Sequence, residues 1–247
     1  MIYFCKVSYL GAAYKGFERQ PRLATIQGKL EDALKELCQR KTLIHGAGRT
    51  DAGVSAKGQT FSFSHEAIKD EKRFLYAFNR LLPSDIAVLS LEKKGDGFDA
   101  RHSSTGKRYS YSFRIGSKRP LESLTVSQFG SRLFDYGAFA EAIALYKGTH
   151  DFRDFTSKGA DIGGFKREIS KAECSVHDGL CRVDFVGNGF MTYQVRIMVG
   201  VALKVGFGKM GADEVEAALR PSARKIFSYK APAEGLTLEE VYYEPIH

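Results

Sequence analysis

Residues 46–58 read GAGRTDAGVSAKG. One carboxylate, Asp51, follows Arg49 and Thr50 among four glycines and three alanines, and the other two charges, Arg49 and Lys57, are positive. Two glycines before Asp51 and two after it let the backbone turn sharply and let a partner approach closely. Two uses are open to such a stretch. It can be a plain turn in which Asp51 bonds its own backbone, or it can expose a carboxylate able to attack, abstract a proton or accept a hydrogen bond. A phosphate loop does not fit. Gly46-Ala47-Gly48 lacks the third glycine of a dinucleotide fingerprint, and no Gly-Lys-Ser/Thr follows.

The elements on either side set the fold. Upstream, residues 2–10 alternate as a strand, and Thr25 is placed to open a helix with Ile26, Leu30, Leu34, Leu37 and Cys38 on one stripe. A short strand at Leu43-Ile44 leads into the loop. Downstream, residues 59–64 alternate again, a second helix through Phe74, Leu75, Phe78 and Leu82 stops at Pro83, and residues 86–91 make a further strand. The order is β-α-β-β-α-β, that of a ferredoxin-like unit. A comparable series follows. It starts with a strand over 107–115, then a helix capped by Asp135, carrying Phe139, Ile143 and Tyr146 and closed by Gly148. Strands over 169–177 and 180–187 meet at His177-Asp178-Gly179. An apolar helix over 191–205, a short helix over 212–219 and a strand over 236–243 complete it. We expect an α+β protein of two ferredoxin-like or RRM-like halves, residues 1–100 and 101–247. Their sheets should be mostly antiparallel, with a basic central cleft as the place for a ligand.

At 247 residues, with 43% hydrophobic and 27% charged side chains, the chain can bury a core. Its apolar runs fall far short of the ~18 residues of a membrane span, and Lys6 interrupts the N-terminal run before a signal core could form. A cytoplasmic protein without a membrane partner is expected. Cys5, Cys38, Cys174 and Cys181 make no CxxC pattern and the six histidines are scattered, so no metal site is expected. A net charge of +8 favours phosphate-bearing partners. Its distribution says more. From Arg101 to Arg119 the chain carries Arg101, Lys107, Arg108, Arg114, Lys118 and Arg119 and no acid, with Tyr109, Tyr111 and Phe113 interleaved. Cations for a backbone and flat rings for bases suit a nucleic-acid groove; a solvated strand face over a core is the plainer alternative.

Gly48-Arg49-Thr50-Asp51-Ala52-Gly53-Val54 resembles the signature of the tRNA pseudouridine synthase A family. Further blocks follow in that family's order: Tyr9-x4-Tyr14-x-Gly16-Phe17, Asn79-x-x-Leu82-Pro83-x-Asp85-Ile86, Phe98-Asp99-Ala100-Arg101 and Lys107-Arg108-Tyr109-Ser110-Tyr111. Asp151-Phe152 with Phe155, Asn188-x-Phe190, Val195-Arg196-x-x-Val199-Gly200 and Ala231-Pro232-Ala233-Glu234-Gly235-Leu236 complete a pattern that covers nearly the whole chain. The family turns uridine into pseudouridine in the anticodon arm of tRNA, without cofactor or metal. The resemblance implies that Asp51 is the catalytic aspartate, that Tyr109 stacks on the target base and manages the C5 proton, and that Arg196 pairs with the carboxylate. Arg49 and Arg101 would hold the displaced nucleotide and nearby phosphates, with Thr50, Lys107, Arg108 and Tyr111 as further substrate contacts. It also implies action at positions 38, 39 and 40 of the anticodon stem-loop by a homodimer. Bacterial members usually carry histidine at Ser55, Trp-Gln at Phe17-Glu18 and a histidine pair at Thr192-Tyr193.

Two other classes would use parts of this set. A non-catalytic RNA-binding or RNA-folding protein would keep the basic stripe and have no need of Asp51, Tyr109 and Arg196 together. A glycosidase-like hydrolase would need a second carboxylate within ~10 Å of Asp51, for which Asp99 is the candidate.

Overall fold

The computed structural model describes residues 1–130, 133–157, 164–220 and 227–245. Through residue 105 the elements are β1 (Ile2–Tyr9), α1 (Ile26–Cys38), β2 (Ile44–Gly46), β3 (Ser55–Ser64), α2 (Glu71–Leu81) and β4 (Ile86–Lys94). Next come β5 (Gly106–Ile115), β6 (Ser127–Phe129), α3 (Tyr136–Ala144), β7 (Gly148–Asp151), β8 (Lys166–His177) and β9 (Leu180–Gly187). The chain then runs through α4 (Gln194–Gly206), α5 (Ala212–Ala218) and β10 (Leu236–Tyr242). The protein is α+β; β3 with β10 and β5 with β6 pair in parallel, while β1–β3, β1–β4, β2–β3, β5–β9, β7–β8 and β8–β9 pair antiparallel. Two compact units emerge: Met1–Thr105 with Thr237–Glu244, and Gly106–Leu236 with Pro245.

In the first unit β1 lies between β4 and β3, and both β2 and β10 pair with β3. Tyr3, Cys5 and Val7 alternate inward along β1, and Phe61 and Phe63 stand opposite Cys5 and Tyr3 on β3. That face is covered by helices. Phe74 of α2 stacks on Phe63 with ring centroids 6.4 Å apart, and Ile26, Leu30 and Leu34 of α1 are buried. Full burial of a side chain such as Phe78 contributes about 1.5–3 kcal/mol. Thr25 caps α1 by accepting from the Gly28 amide at 3.2 Å, and Asp70 caps α2 by accepting from Arg73 at 2.9 Å. On the opposite face Phe4 meets Phe98 and Tyr243 edge-on. The Tyr243 hydroxyl donates to the Ala100 carbonyl at 2.8 Å, which pins the 98–101 segment there.

In the second unit the order is β5-β9-β8-β7, with β6 added to β5. Asp178 and Gly179 turn the β8–β9 hairpin with φ of 47° and 67°, the left-handed pair that a two-residue hairpin loop requires. Tyr111 and Phe113 of β5, with Val183 and Phe185 of β9, are fully buried. The Phe113 ring meets Phe139 of α3 at 5.1 Å, and the Tyr146 hydroxyl after α3 donates to the Met198 carbonyl of α4 at 3.0 Å. Sequence places the start of α4 at Met191, whereas the helix begins at Gln194. Tyr193 adopts φ 61°, which no α-helix accommodates, and buried Gln194 folds back to accept from the Met191 amide at 2.9 Å.

Candidate active site

Asp51 stands between β2 and β3 on a loop held from behind by the segment that follows β1. The Thr50 carbonyl accepts from Phe17 N–H at 3.1 Å, and Gly53 N–H donates to the Tyr14 carbonyl at 3.2 Å. Val54 N–H closes a turn onto the Asp51 carbonyl at 3.2 Å. The Thr50 hydroxyl is buried against the Tyr9 hydroxyl at 2.8 Å, and Gln59 donates to the Gly48 carbonyl at 3.0 Å. The supporting segment is itself tied down. Gly16 and Phe17 carbonyls accept from Ile26 and Gln27, amides of the first turn of α1 that no intrahelical carbonyl can satisfy. Tyr14 donates to the Asp85 carboxylate at 2.6 Å. Asp51 itself is half-exposed.

The glycines mark where the two backbones touch. A Cβ on Gly16, whose φ is +96°, would lie 2.8 Å from the Thr50 carbonyl oxygen, and one on Gly11 would collide with the Val54 carbonyl. One on Gly46 would collide with the buried ring of Phe17. Small residues here let one backbone brace another, and that fixes where the carboxylate stands.

Among the other residues singled out in the sequence, Arg49 is exposed and pairs with Glu18 at 3.0 Å. Arg101 is exposed; its amide, with that of His102, is bound by the Asp99 carboxylate at 2.8 Å. Tyr109 is 8% exposed and meets Phe190 edge-on at 5.3 Å, at the end of the β5 row that continues through buried Tyr111 and Phe113. Tyr111 is fully buried; its hydroxyl is shared with Ser127 at 2.8 Å and donates to the Pro232 carbonyl at 3.0 Å. Burial pushes its phenol well above the ordinary value.

Lys107 and Arg108 are half-buried on β5. Arg108 bonds Asp184 of β9 through Nε and Nη2, at 3.2 and 2.9 Å, and Arg182 bonds the same carboxylate. Burial alone would raise the Asp184 carboxyl, but the two guanidinium groups hold it below its usual range. Arg114 pairs with Glu122 at 2.6 Å. The acid-free run 101–119 thus meets its acids from neighbouring segments. Arg196 projects from α4 half-exposed, its Nε donating to the Ala231 carbonyl at 2.8 Å. Among the described residues no cluster of three or more metal-ligating side chains occurs, and no helix is long and apolar enough to cross a membrane.

A model of the tRNA pseudouridine synthase family matches residues 142–244. The chain is also 36% identical over 241 residues to the tRNA pseudouridine synthase A of Geobacillus sp. (strain WCH70), covering 97% of each chain. The chain belongs to the tRNA pseudouridine synthase A family. Synthases A of Streptococcus mutans serotype c and Acetivibrio thermocellus are each 36% identical, over 242 and 238 residues, with 96% of this chain and 97% of theirs covered. In the crystal structure of a Cbf5-Nop10-Gar1 complex a chain is similar over 82% of this chain and 54% of its own, at 12% identity and a TM-score of 0.34. As a member of the synthase A family the protein is an isomerase.

Membership bears on the departures noted in the sequence. Ser55 takes a structural post, its hydroxyl accepting from the Gly11 amide at 3.0 Å. Phe17 is buried against Gly46, and Glu18 holds Arg49. Asp99, the second carboxylate a glycosidase would need, is committed to the amides of Arg101 and His102. Burial would raise its carboxyl, yet those two bonds with His102 and His45 nearby hold it below the ordinary value. It stays ionised at neutral pH and cannot serve there as a general acid. Sequence reading gave no role to Tyr14, Gly16, Phe17 or Gln59, the residues that brace the loop. A glycine followed by an aromatic ring in an early block was the available signal.

Proposed function

We propose that this isomerase acts on tRNA, converting uridine to pseudouridine in the anticodon arm at positions 38, 39 and 40, as a cytoplasmic homodimer. The N1–C1′ bond breaks, the uracil turns while still held, and C5 bonds to C1′. A base within a stem gives no access to that carbon, so the nucleotide is flipped out at a cost of a few kcal/mol. Asp51 acts on the ribose, Tyr109 stacks on the uracil and manages the C5 proton, and Arg196 keeps the carboxylate ionised. Arg49, Arg101, Lys107 and Arg108 contact the displaced nucleotide and its phosphates. Thr50 and Tyr111, expected as substrate contacts, are buried, and we give them an indirect part through the groups their hydroxyls bind.

One observation carries the reading. Asp51 is held on a backbone braced at Thr50, Gly53 and Val54 while its side chain stays half-exposed, in a chain related nearly end to end to tRNA pseudouridine synthases. Release of tritium from C5-labelled uridine in tRNA tests the chemistry directly. The protein is expected to release it and its Asp51→Asn variant to release none. Binding of tRNA without release by either would favour a non-catalytic RNA-binding protein. Equal release by both would place the chemistry on another residue.

A further inference from the structure

The segment from Tyr229 to Leu236 is laid against α4 and β5 by contacts that fix it residue by residue. The Ala231 amide donates to the Arg196 carbonyl at 2.8 Å, and the Ala231 carbonyl accepts from Arg196 Nε at 2.8 Å. The Pro232 carbonyl accepts from Tyr111, and the Gly235 carbonyl accepts from the Ser112 amide at 2.8 Å. Gly200 permits the close approach, since a Cβ there would lie 2.7 Å from the Tyr229 carbonyl oxygen and 3.0 Å from the Ala231 nitrogen.

Lys230 lies between these fixed neighbours. Its Nζ is 4.0 Å from the centre of the Tyr193 ring, and the Arg196 guanidinium carbon is 5.6 Å from the same centre. Both distances are within the reach of a cation–ring attraction. Tyr193 presents that ring from a left-handed backbone, φ 61° and ψ 3°, a conformation that a bulky side chain adopts only where its surroundings enforce it. Lys230 is exposed, and among the described residues no carboxylate pairs with it. A solvated lysine would wander over its rotamers. This one is held on a ring beside a guanidinium, an arrangement that an anionic ligand completes.

We propose that Lys230 contacts a phosphodiester of the substrate RNA beside the nucleotide served by Arg196, and that Tyr193 is the residue that positions it. The inference rests on the reading of the substrate as tRNA. Lysine suits this use as a point charge, needing no fixed fork geometry at the phosphate.

The test is the salt dependence of tRNA binding, measured for the full-length protein, Lys230→Gln, Tyr193→Phe, Tyr193→Leu and the double variant Tyr193→Leu/Lys230→Gln. Loss of one phosphate contact lowers the slope of log K against log salt by about 0.7–0.9. Lys230→Gln is expected to show that loss, with the fall in kcat/KM carried mainly by KM. Tyr193→Leu should show the same loss and the double variant no further one, while Tyr193→Phe, which keeps a ring, should retain the parent slope. A parent slope in Lys230→Gln, in a protein that binds tRNA and releases tritium, would overturn this proposal and leave the enzyme reading intact. Failure of the parent to bind tRNA would overturn both. Full additivity in the double variant would remove Tyr193 from the role. Lys230→Gln alters an exposed side chain, so the proposal stays decidable even if Tyr193→Leu does not fold.

Discussion

Gly16→Ala probes how the carboxylate is placed. Its Cβ would sit 2.8 Å from the Thr50 carbonyl oxygen and 3.4 Å from the Ala52 nitrogen, all backbone of the Asp51 loop. Ordinary carbon contacts begin near 3.4 Å, so the two segments must part by about 0.6 Å. A misplacement of about 1 Å at a reacting group costs on the order of 10²-fold. Roughly half that displacement, at the residue preceding Asp51, is expected to lower kcat about tenfold. The positive φ of +96° adds a backbone penalty of about 1–3 kcal/mol. Gly116→Ala separates the two effects. Gly116 has φ +111° but nothing within 4 Å of the added methyl, so it should lose stability alone. Thermal melts should fall by a few degrees in both variants, and tritium release at saturating tRNA should fall in Gly16→Ala only. A Gly16→Ala enzyme with kcat within about twofold of the parent would refute the bracing of Asp51 by this segment.

Glu31 is buried on α1 and accepts from Arg19 Nε at 2.6 Å, from Gln27 and from the Ile44 amide at 3.1 Å, at the start of the strand that leads into the loop. Glu31→Ala strands that amide and is expected to cost about 2–3 kcal/mol in urea unfolding, with Glu31→Gln milder. Asp184, held below its usual range, stabilises the fold fully above the unfolded carboxylate value near 3.9 and loses that contribution as pH falls through its depressed folded value. Asp184→Asn should therefore be less stable than the parent by about 1 kcal/mol at pH 7, the two converging in strong acid. Glu18→Gln breaks an ion pair whose side chains are both more than half-exposed. Its melting temperature should move by no more than about a degree, while tRNA binding at low salt should tighten as Arg49 is released; weaker binding would show that Glu18 orients Arg49 for the RNA.

Local chemistry was legible in the sequence where a single turn decides the outcome. The caps at Thr25 and Asp135 and the turn at Asp178-Gly179 all occur as read. β6 and β7 escaped notice because strands of three and four residues carry no usable alternation. The start of α4 was misplaced because Met191 is as apolar as the helix, and only backbone geometry reveals the left-handed Tyr193. Around Asp51 the small residues were visible, but their partner lay more than thirty positions earlier. Space cleared for a substrate and space filled by Tyr14–Phe17 leave the same letters in the sequence. The cations of 101–119 show a related limit: counting acids within a segment says nothing of Asp184 and Glu122, which reach Arg108 and Arg114 from elsewhere.

The strand that carries the Asp51 loop has consequences for how the protein is made. β3 pairs with β10 through Ser55 with Thr237 and Ala56 with Leu238, and Lys57 meets Glu239 across 182 positions of chain. At about 5–20 residues per second of synthesis, roughly ten to forty seconds separate the emergence of those partners from the ribosome. Throughout that interval the nascent first unit has an open strand edge beside its Asp51 loop. Such an edge offers unpaired N–H and C=O groups to any other chain that meets it. An incomplete product released early would carry Asp51 without the strand that completes its sheet.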